Sequence, residues 1–169
     1  IEHQQLKPVK MKKIKPVEQN AGIWLDQDSA IIVHLQKNAE PVVEKLVSGV
    51  ETRLRVPGES KIFSQYGHTV VDNQEKKQHR RQNQRNKFFK EIVSHLQKDD
   101  HLYLFGPSEA KEGLMNVIEK VPGMADKVSA MANTGKLTSR AAIVVTNEYF
   151  NGEAYRLYRK NRRKALKMQ

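Results

Sequence analysis

The segment that decides the fold runs from Asn73 to Lys111 and reads NQEKKQHRRQNQRNKFFKEIVSHLQKDDHLYLFGPSEAK. Apolar residues recur through its middle at the three- and four-residue spacing that gives a helix one apolar face. They are Phe88, Phe89, Ile92, Val93 and Leu96. A short apolar run from Leu102 to Phe105 follows, which is typical of a buried strand, and Gly106 begins a turn into a second helix. The segment therefore predicts a helix, a buried strand and a second helix in succession.

The front of the first predicted helix, residues 76–87, is almost entirely polar and basic. Its basic residues are Lys76, Lys77, His79, Arg80, Arg81, Arg85 and Lys87. A helix that carries such a cationic extension needs an anionic partner, and nucleic acid is the commonest one. The amides of Gln82, Asn83 and Gln84 lie among the cations and are expected to add hydrogen bonds to sugars or base edges.

The composition favours the same class of partner. The chain has 169 residues, and its 30 Lys and Arg against 19 Asp and Glu give a formal net charge of +11. The absence of cysteine excludes disulfides and thiolate metal sites, and the six histidines show no metal-ligand spacing. No apolar run approaches the roughly 20 residues of a membrane span, so we expect no membrane partner. We expect a cytoplasmic protein, or an organellar one if an N-terminal segment has been removed.

Two basic extensions flank the predicted domain, which spans residues 21–150. Residues 1–20 combine five lysines with two prolines that break any helix, which predicts a flexible arm, either solvated or ordered on RNA. Residues 151–169 interleave Tyr155 and Tyr158 with cations and are predicted to form a helical tail that contacts RNA phosphates. The candidate RNA-binding residues of the two extensions are Lys10, Lys12, Lys13, Arg156, Arg159, Lys160, Arg162, Arg163 and Lys164.

The part of the chain before the basic helix predicts strands. Residues 22–26 and 30–35 are apolar runs separated by Gln27-Asp28-Ser29, which has good turn chemistry, so they predict a β-hairpin. Residues 41–48 fit either a strand or a short helix. Residues 52–56 predict a third strand that ends at Pro57-Gly58, and three successive strands indicate an antiparallel meander.

The remaining connections alternate between loops, helices and strands. Residues 57–73 are predicted to be a long loop, in which Phe63, Tyr66 and His68 either stack on bases or pack locally. Later, a helix over residues 108–120 with Ser108 as its N-cap precedes a strand over 126–132. A last helix, with Thr138 as its N-cap, continues to about residue 150. A meander followed by alternating helices and strands predicts a single α/β domain with a mixed sheet.

Several of these pieces resemble the central domain of the class-I release factor and Pelota family of archaea and eukaryotes, and its bacterial release-factor-like, translational-machinery relatives. The matching motifs are IWLD from Ile23, RLRVPG from Arg53, HRRQNQRNKFFKEI from His79, LYLFGPSEAKEGL from Leu102 and LTSR from Leu137. The resemblance covers about residues 21–150. It implies a ribonuclease H-like α/β fold and work on the ribosome, near tRNA or the A site.

One departure from the family pattern matters for function. Release factors carry Gly-Gly-Gln in the loop before the long helix, to place a water on the peptidyl-tRNA ester. Residues 64–68 of this chain read SQYGH instead, so peptide release is not expected. Pelota-type relatives also lack that motif and act by binding.

The sequence therefore predicts a non-enzymatic, ribosome-associated RNA-binding protein, either a ribosomal component or a stress or hibernation factor. Its expected partners are rRNA and, as a second possibility, tRNA, and no metal or cofactor is expected. A metal-dependent nuclease, a peptidyl-tRNA hydrolase and an adaptor for an acidic protein are the alternatives. The nuclease would use carboxylates at strand ends, and the candidates are Asp26, Asp28, Asp99 and Asp100.

Overall fold

Five strands and four α-helices make up the part of the chain that the computed structural model describes, which is residues 17–50 and 68–169. In chain order they are β1 (Gln19–Leu25), β2 (Ser29–Gln36), β3 (Val42–Val47), α1 (His68–His95), β4 (His101–Gly106), α2 (Ser108–Ile118), β5 (Val128–Asn133), α3 (Ser139–Asn151) and α4 (Glu153–Lys167). A short 3-10 helix, Ala125–Lys127, precedes β5. None of the described helices combines the length and the apolar character needed to cross a membrane.

The five strands form one mixed sheet in the order β3-β2-β1-β4-β5. The first three strands are antiparallel neighbours, and β1, β4 and β5 run parallel to one another. In the register of the central strand, Ile23 lies between Ile32 of β2 and Leu104 of β4. The pairing of β1 with β2 confirms the predicted hairpin, and the mixed sheet confirms the predicted α/β fold. The meander is completed by β3 and not by the strand predicted over residues 52–56.

The two faces of the sheet bury different helices because side chains alternate along each strand. Ile23 and Leu104 face the side that α1 and α2 cover. Trp24 and Phe105, one residue further along each strand, face α3. Completely burying an aliphatic or aromatic side chain contributes roughly 1.5–3 kcal/mol, so the two covered faces supply most of the driving force for this fold. The apolar stripe predicted for the first helix lies in the core: Phe88, Phe89, Ile92, Val93 and Leu96.

The turn after β4 requires Gly106. Its φ is +134°, and a Cβ at this position would lie 2.3 Å from the carbonyl oxygen of Leu25. The Lys111 Nζ donates a hydrogen bond to the Gly106 carbonyl oxygen at 2.8 Å and another to the Asn133 side chain. Burial lowers the pKa of Lys111. The Leu-Phe-Gly-Pro motif and its lysine thus join the carboxyl-terminal ends of β4 and β5.

Three sequence predictions need correction or completion. The loop predicted over residues 57–73 is wrong from His68 onwards, where α1 already begins, because no glycine or proline interrupts the chain after Gly67. Ser108 is not an N-cap: the cap position is Pro107, whose extended ψ of 145° precedes the first helical residue. The third strand is β3, in the segment left open between strand and helix, whereas the strand predicted over residues 52–56 lies outside the described residues.

Three further predictions concern the last two helices and the arm before β1. Thr138 is the N-cap of α3 as predicted, and its Oγ1 accepts a hydrogen bond from the Ala141 backbone N–H at 3.2 Å. β1 begins at Gln19, two residues inside the stretch predicted to be a flexible arm. The helix predicted within residues 151–169 is α4.

The long helix α1 extends well past the sheet. Its 28 residues span about 42 Å, whereas the six residues of β4 span about 20 Å. Residues 96–100 connect the two elements directly, so α1 runs antiparallel to β4. The front half of α1 therefore lies beyond the edge of the sheet at which β1, β4 and β5 end.

Candidate nucleic-acid interface

The front of α1 places cations along one side of the helix. Lys76, Arg80 and Lys87 are exposed and recur at intervals of four and seven residues, which are equivalent positions on a helix surface. The other predicted contacts vary in exposure: Arg81 is exposed, while Lys77, Gln84 and Arg85 are half-buried. Lys77, Arg81 and Gln84 each also interact with other residues of the chain. The exposed row is the part of α1 that fits a phosphate backbone.

The second basic helix, α4, is packed onto the domain by aromatic and charged residues. Tyr155 is 5% exposed, and its hydroxyl donates a hydrogen bond to Glu18 at 2.9 Å. Arg159 donates to the other oxygen of the same carboxylate. The ring of His101 lies edge-on to Tyr155 and Tyr158, and its Nε2 is 3.2 Å from Glu18. α4 is therefore held at the edge of the sheet where β1 and β4 begin.

The charges at this contact are set by their neighbours. Burial favours a protonated Glu18, but the hydrogen bonds from Arg159 and Tyr155 outweigh it and hold the pKa of Glu18 below its usual value. The hydrogen bond to Glu18 raises the pKa of Arg159. Burial lowers the pKa of His101 despite the nearby carboxylate. The contact at neutral pH thus pairs an ionised glutamate with a charged arginine beside a neutral histidine.

Two of the six cations predicted to bind RNA on α4 are turned towards the domain. Arg159 pairs with Glu18, and Arg162 donates to the Asp126 carbonyl oxygen at 2.6 Å and to the Tyr158 hydroxyl at 2.7 Å. The residues of this inner face recur at three- and four-residue spacing: Tyr155, Tyr158, Arg159 and Arg162. That periodicity was the available signal that one face of α4 packs on the body, whereas nothing in the sequence marked Glu18 as its partner.

The outer face of α4 is a cationic surface. Its exposed basic residues are Arg156, Lys160, Arg163, Lys164 and Lys167. A groove of about 540 Å³ runs along this face, and its lining consists of basic side chains together with the rings of Phe150 and Tyr155. No acidic side chain lines this groove among the described residues. We call this the α4 groove; its charge and exposed cations suit an anionic chain.

The carboxylates considered for a nuclease lie at opposite ends of the sheet. Asp26 closes the turn between β1 and β2, where its Oδ1 accepts hydrogen bonds from the backbone N–H groups of Asp28 and Ser29 at 2.9 and 2.7 Å. Asp99 and Asp100 precede β4 and lie beside the beginning of β1. The seven residues of β1 therefore separate them from Asp26 by about 23 Å. The structure does not bring the two pairs together, and the described residues contain no cluster of three metal-ligating side chains.

Several candidates from the sequence lie outside the described residues. These are Lys10, Lys12 and Lys13 of the predicted arm and Phe63 and Tyr66 of the predicted loop. Apart from Arg162, the remaining RNA-binding candidates lie on two surfaces, the front of α1 and the α4 groove, at opposite edges of the sheet.

Comparison with known proteins supports the fold. No protein-family model and no curated protein sequence matches the chain. The solved structure of Pelota from Archaeoglobus fulgidus aligns at 13% sequence identity with a TM-score of 0.50, over 87% of this chain and 35% of that chain. An archaeal translation termination factor aligns at 13% identity with a TM-score of 0.47, over 89% of this chain and 40% of that chain. This chain thus spans about a third of the length of Pelota, and the predicted resemblance is confirmed at the level of the fold.

Proposed function

We propose that this chain is a ribosome-associated RNA-binding protein that acts by binding and not by catalysis. The observation that carries the proposal is the segregation of charge on α4. Arg159 and Arg162 hold the inner face on the domain, while Arg156, Lys160 and Lys164 are displayed on the outer face of the same helix. A packed helix presents these cations at fixed spacing, which suits the regular charge of a phosphate backbone better than a mobile tail would.

The front of α1 supplies a second cationic surface. It lies beyond the carboxyl-terminal edge of the sheet, whereas α4 lies at the amino-terminal edge, so the two surfaces reach different RNA segments. Large RNAs such as rRNA present many backbone segments at this separation, and a bound tRNA is a second candidate. The resemblance to the release factor and Pelota family, together with the fold shared with Pelota, supports the cytoplasmic ribosome as the particle that carries this RNA.

Peptide release is not part of the proposal. The chain contains no Gly-Gly-Gln, and its nine glycines are never adjacent. Nuclease activity is also the weaker reading, because Asp26 is engaged in a hairpin turn about 23 Å from Asp99 and Asp100. Incubating the protein with labelled RNA and Mg²⁺ tests this point directly: accumulation of cleavage products that disappear with Asp26→Asn would contradict a purely binding role.

Sucrose-gradient sedimentation of lysate at low and high salt tests ribosome association. We expect the chain to co-migrate with ribosomes or one subunit at low salt. Retention at high salt would identify a stable component, and release at high salt a transient factor. A position at the top of the gradient during both growth and starvation would overturn the proposal.

A charge-neutralised variant assigns the interaction to α4. Replacing Arg156, Lys160 and Lys164 by glutamine is expected to release the protein from the ribosome at a lower salt concentration. The logarithm of the association constant is then expected to fall less steeply with the logarithm of the salt concentration, by about 2 in the slope. The matched control replaces the exposed residues Lys45, Lys120 and Lys136 by glutamine, which removes the same charge elsewhere on the surface. Equal losses for both variants would mean that only net charge matters and would contradict a defined α4 surface.

A further inference from the structure

The α4 groove does not end at the helix. Phe150, at the end of α3, lines this groove and also a second groove of about 660 Å³ between the beginning of β1 and the end of α3. The two grooves are therefore adjacent and meet at one aromatic ring. Part of the second groove is lined by side-chain amides, and apolar residues, Glu18 and Lys37 line the rest of it. The amides are those of Asn20, Gln36, Asn147 and Asn151. Cations lie on one side of Phe150 and amides on the other.

The ring of Phe150, at which the two grooves meet, is held in place by its neighbours. Phe150 is half-buried and packs edge-to-face against Tyr149 and Tyr155, with ring centroids 5.0 and 4.9 Å apart. Tyr155 in turn is fixed by its hydrogen bond to Glu18. An aromatic residue positioned in this way offers a base a stacking surface without a large loss of side-chain entropy.

The amide side of the junction contains an unused acceptor. The Oδ1 atom of Asn20 is shielded from solvent and has no hydrogen-bond partner among the described residues. Asn147 and Asn151 lie on the last turns of α3, three residues before Phe150 and one residue after it. Amide groups of this kind both donate to and accept from base edges.

We propose that the α4 groove and the second groove together form one composite groove that binds single-stranded RNA. This inference rests on the proposed function and specifies the form of RNA that is bound. Arg156, Lys160 and Lys164 contact consecutive phosphates, one base stacks on Phe150, and the edge of that base is read by Asn147 and Asn151. A duplex can place its phosphates on the cations, but its bases are paired and stacked, so they do not reach the ring.

Fluorescence anisotropy with the full chain tests the proposal. The probes are a labelled 12-nucleotide single-stranded RNA and a 12-base-pair RNA duplex. Phe150→Leu keeps an apolar side chain in the packing position and removes the aromatic face. We expect it to weaken single-strand binding by about 5- to 150-fold, the range that base stacking on one aromatic residue supports, and to change duplex binding by less than about 2-fold.

A second variant keeps the test independent of any effect on folding. Asn147→Ala is expected to weaken single-strand binding and to leave duplex binding unchanged. Its matched control is Asn161→Ala, the same change at an exposed position of α4 that lines neither groove. Unfolding midpoints equal to that of the unsubstituted protein show that each variant is folded.

Three outcomes overturn the inference, and they are distinguishable. If both variants bind single-stranded RNA as tightly as the unsubstituted protein, the groove proposal fails while the proposed function stands. If neither RNA probe nor the ribosome binds, both proposals fail together. If a polyglutamate peptide of equal charge competes with the single strand at equal concentration, and Phe150→Leu changes nothing, the groove is a site for acidic proteins.

Discussion

Arg159 donates a hydrogen bond to the carboxylate of Glu18, a residue 141 positions earlier in the chain. The same carboxylate accepts from the Tyr155 hydroxyl at 2.9 Å. α4 has few apolar residues, and an isolated helix of 15 residues is at best marginally stable in water. Its packing against the beginning of β1 therefore explains how so basic a segment keeps a fixed helical structure.

The first prediction is that Glu18→Gln loosens α4 selectively. The substitution removes the charge that accepts from Arg159 and Tyr155, but both partners of the ion pair are about one-third exposed, so solvent screens part of the loss. We expect a loss of about 1 kcal/mol, seen as roughly 5-fold faster hydrogen exchange at the α4 amides.

Glu40→Gln, which removes the same charge from an exposed position outside the helices, serves as the control. Amides of α1 report global opening, and their exchange is expected to stay unchanged. Equal acceleration in α1 and α4 would mean that Glu18 stabilises the whole domain and not this helix in particular.

The second prediction concerns the approach of α3 to the sheet at Gly22. A Cβ at this position would lie 2.0 Å from the Oγ1 of Thr146, a buried residue whose hydroxyl donates to the Ala142 carbonyl oxygen at 2.7 Å. Gly22→Ala is therefore expected to lower the free energy of unfolding by about 1–3 kcal/mol, the usual range for overpacking a core. Chemical denaturation measures this loss.

A double-mutant cycle identifies the clash. Combining Gly22→Ala with Thr146→Ala removes the two nearest atoms and should recover part of the lost stability, so the two changes will not be additive. Gly49→Ala is the control, because a Cβ there meets no atom within 4 Å. If the losses of stability from the two single substitutions simply add, steric contact with Thr146 is not the cause of the destabilisation by Gly22→Ala.

The sequence was most informative where local periodicity and burial agree. The stripe of Phe88, Ile92 and Leu96 predicts the core face of α1, and the Leu-Phe-Gly-Pro run predicts the strand and turn around Gly106. Both predictions depend on the spacing of apolar and turn-forming residues that are close together in the chain. The β1–β2 hairpin was predicted for the same reason, whereas β3 could not be separated from a helix because its valines and its leucine fit either period.

The contacts that organise the candidate interface were not predictable in this way. Glu18 and Arg159 are far apart in the chain, and no local pattern joins them. Consequently six of the seven cations of α4 were predicted to bind RNA, although Arg159 and Arg162 serve packing. Long-range pairs of this kind depend on the folded topology, which places the beginning of β1 beside the beginning of β4.

The third prediction is that the two cationic surfaces contribute independently to ribosome binding. Glutamine substitution at Lys76, Arg80 and Lys87 neutralises the exposed row on α1, and the triple α4 variant described above neutralises the other surface. Because the surfaces lie at opposite edges of the sheet, their effects on the binding free energy should add. In a pelleting assay, the combined variant is expected to lose affinity by the product of the separate factors.

Two results would contradict this independence. A combined variant that binds no more weakly than the α4 variant alone would show that the front of α1 does not contact RNA. A loss much smaller than the product would show that both surfaces contact the same RNA segment.

The fourth prediction uses two histidines whose pKa values are moved in opposite directions. The hydrogen bond from His34 to Asp99, at 3.0 Å, raises the pKa of His34, and the charges of Asp99 and Glu44 add to this effect against burial. Burial lowers the pKa of His101. In an NMR titration of the imidazole C–H signals, His34 should therefore titrate above about 6.5 and His101 below it.

The linked effects on stability have opposite signs. The contribution of His34 is fully present below about pH 6.5 and is lost as the pH rises through its raised folded pKa. The contribution of His101 is fully present above about pH 6.5 and is lost as the pH falls through its lowered folded pKa. The contributions of His34 and His101 to stability partly cancel in the unsubstituted protein. The difference in unfolding free energy between the unsubstituted protein and His34→Gln therefore isolates the contribution of His34. That difference in unfolding free energy is expected to be largest below pH 6.5 and to shrink as the pH rises towards 8, and a difference that grows with pH would contradict the assigned role of Asp99.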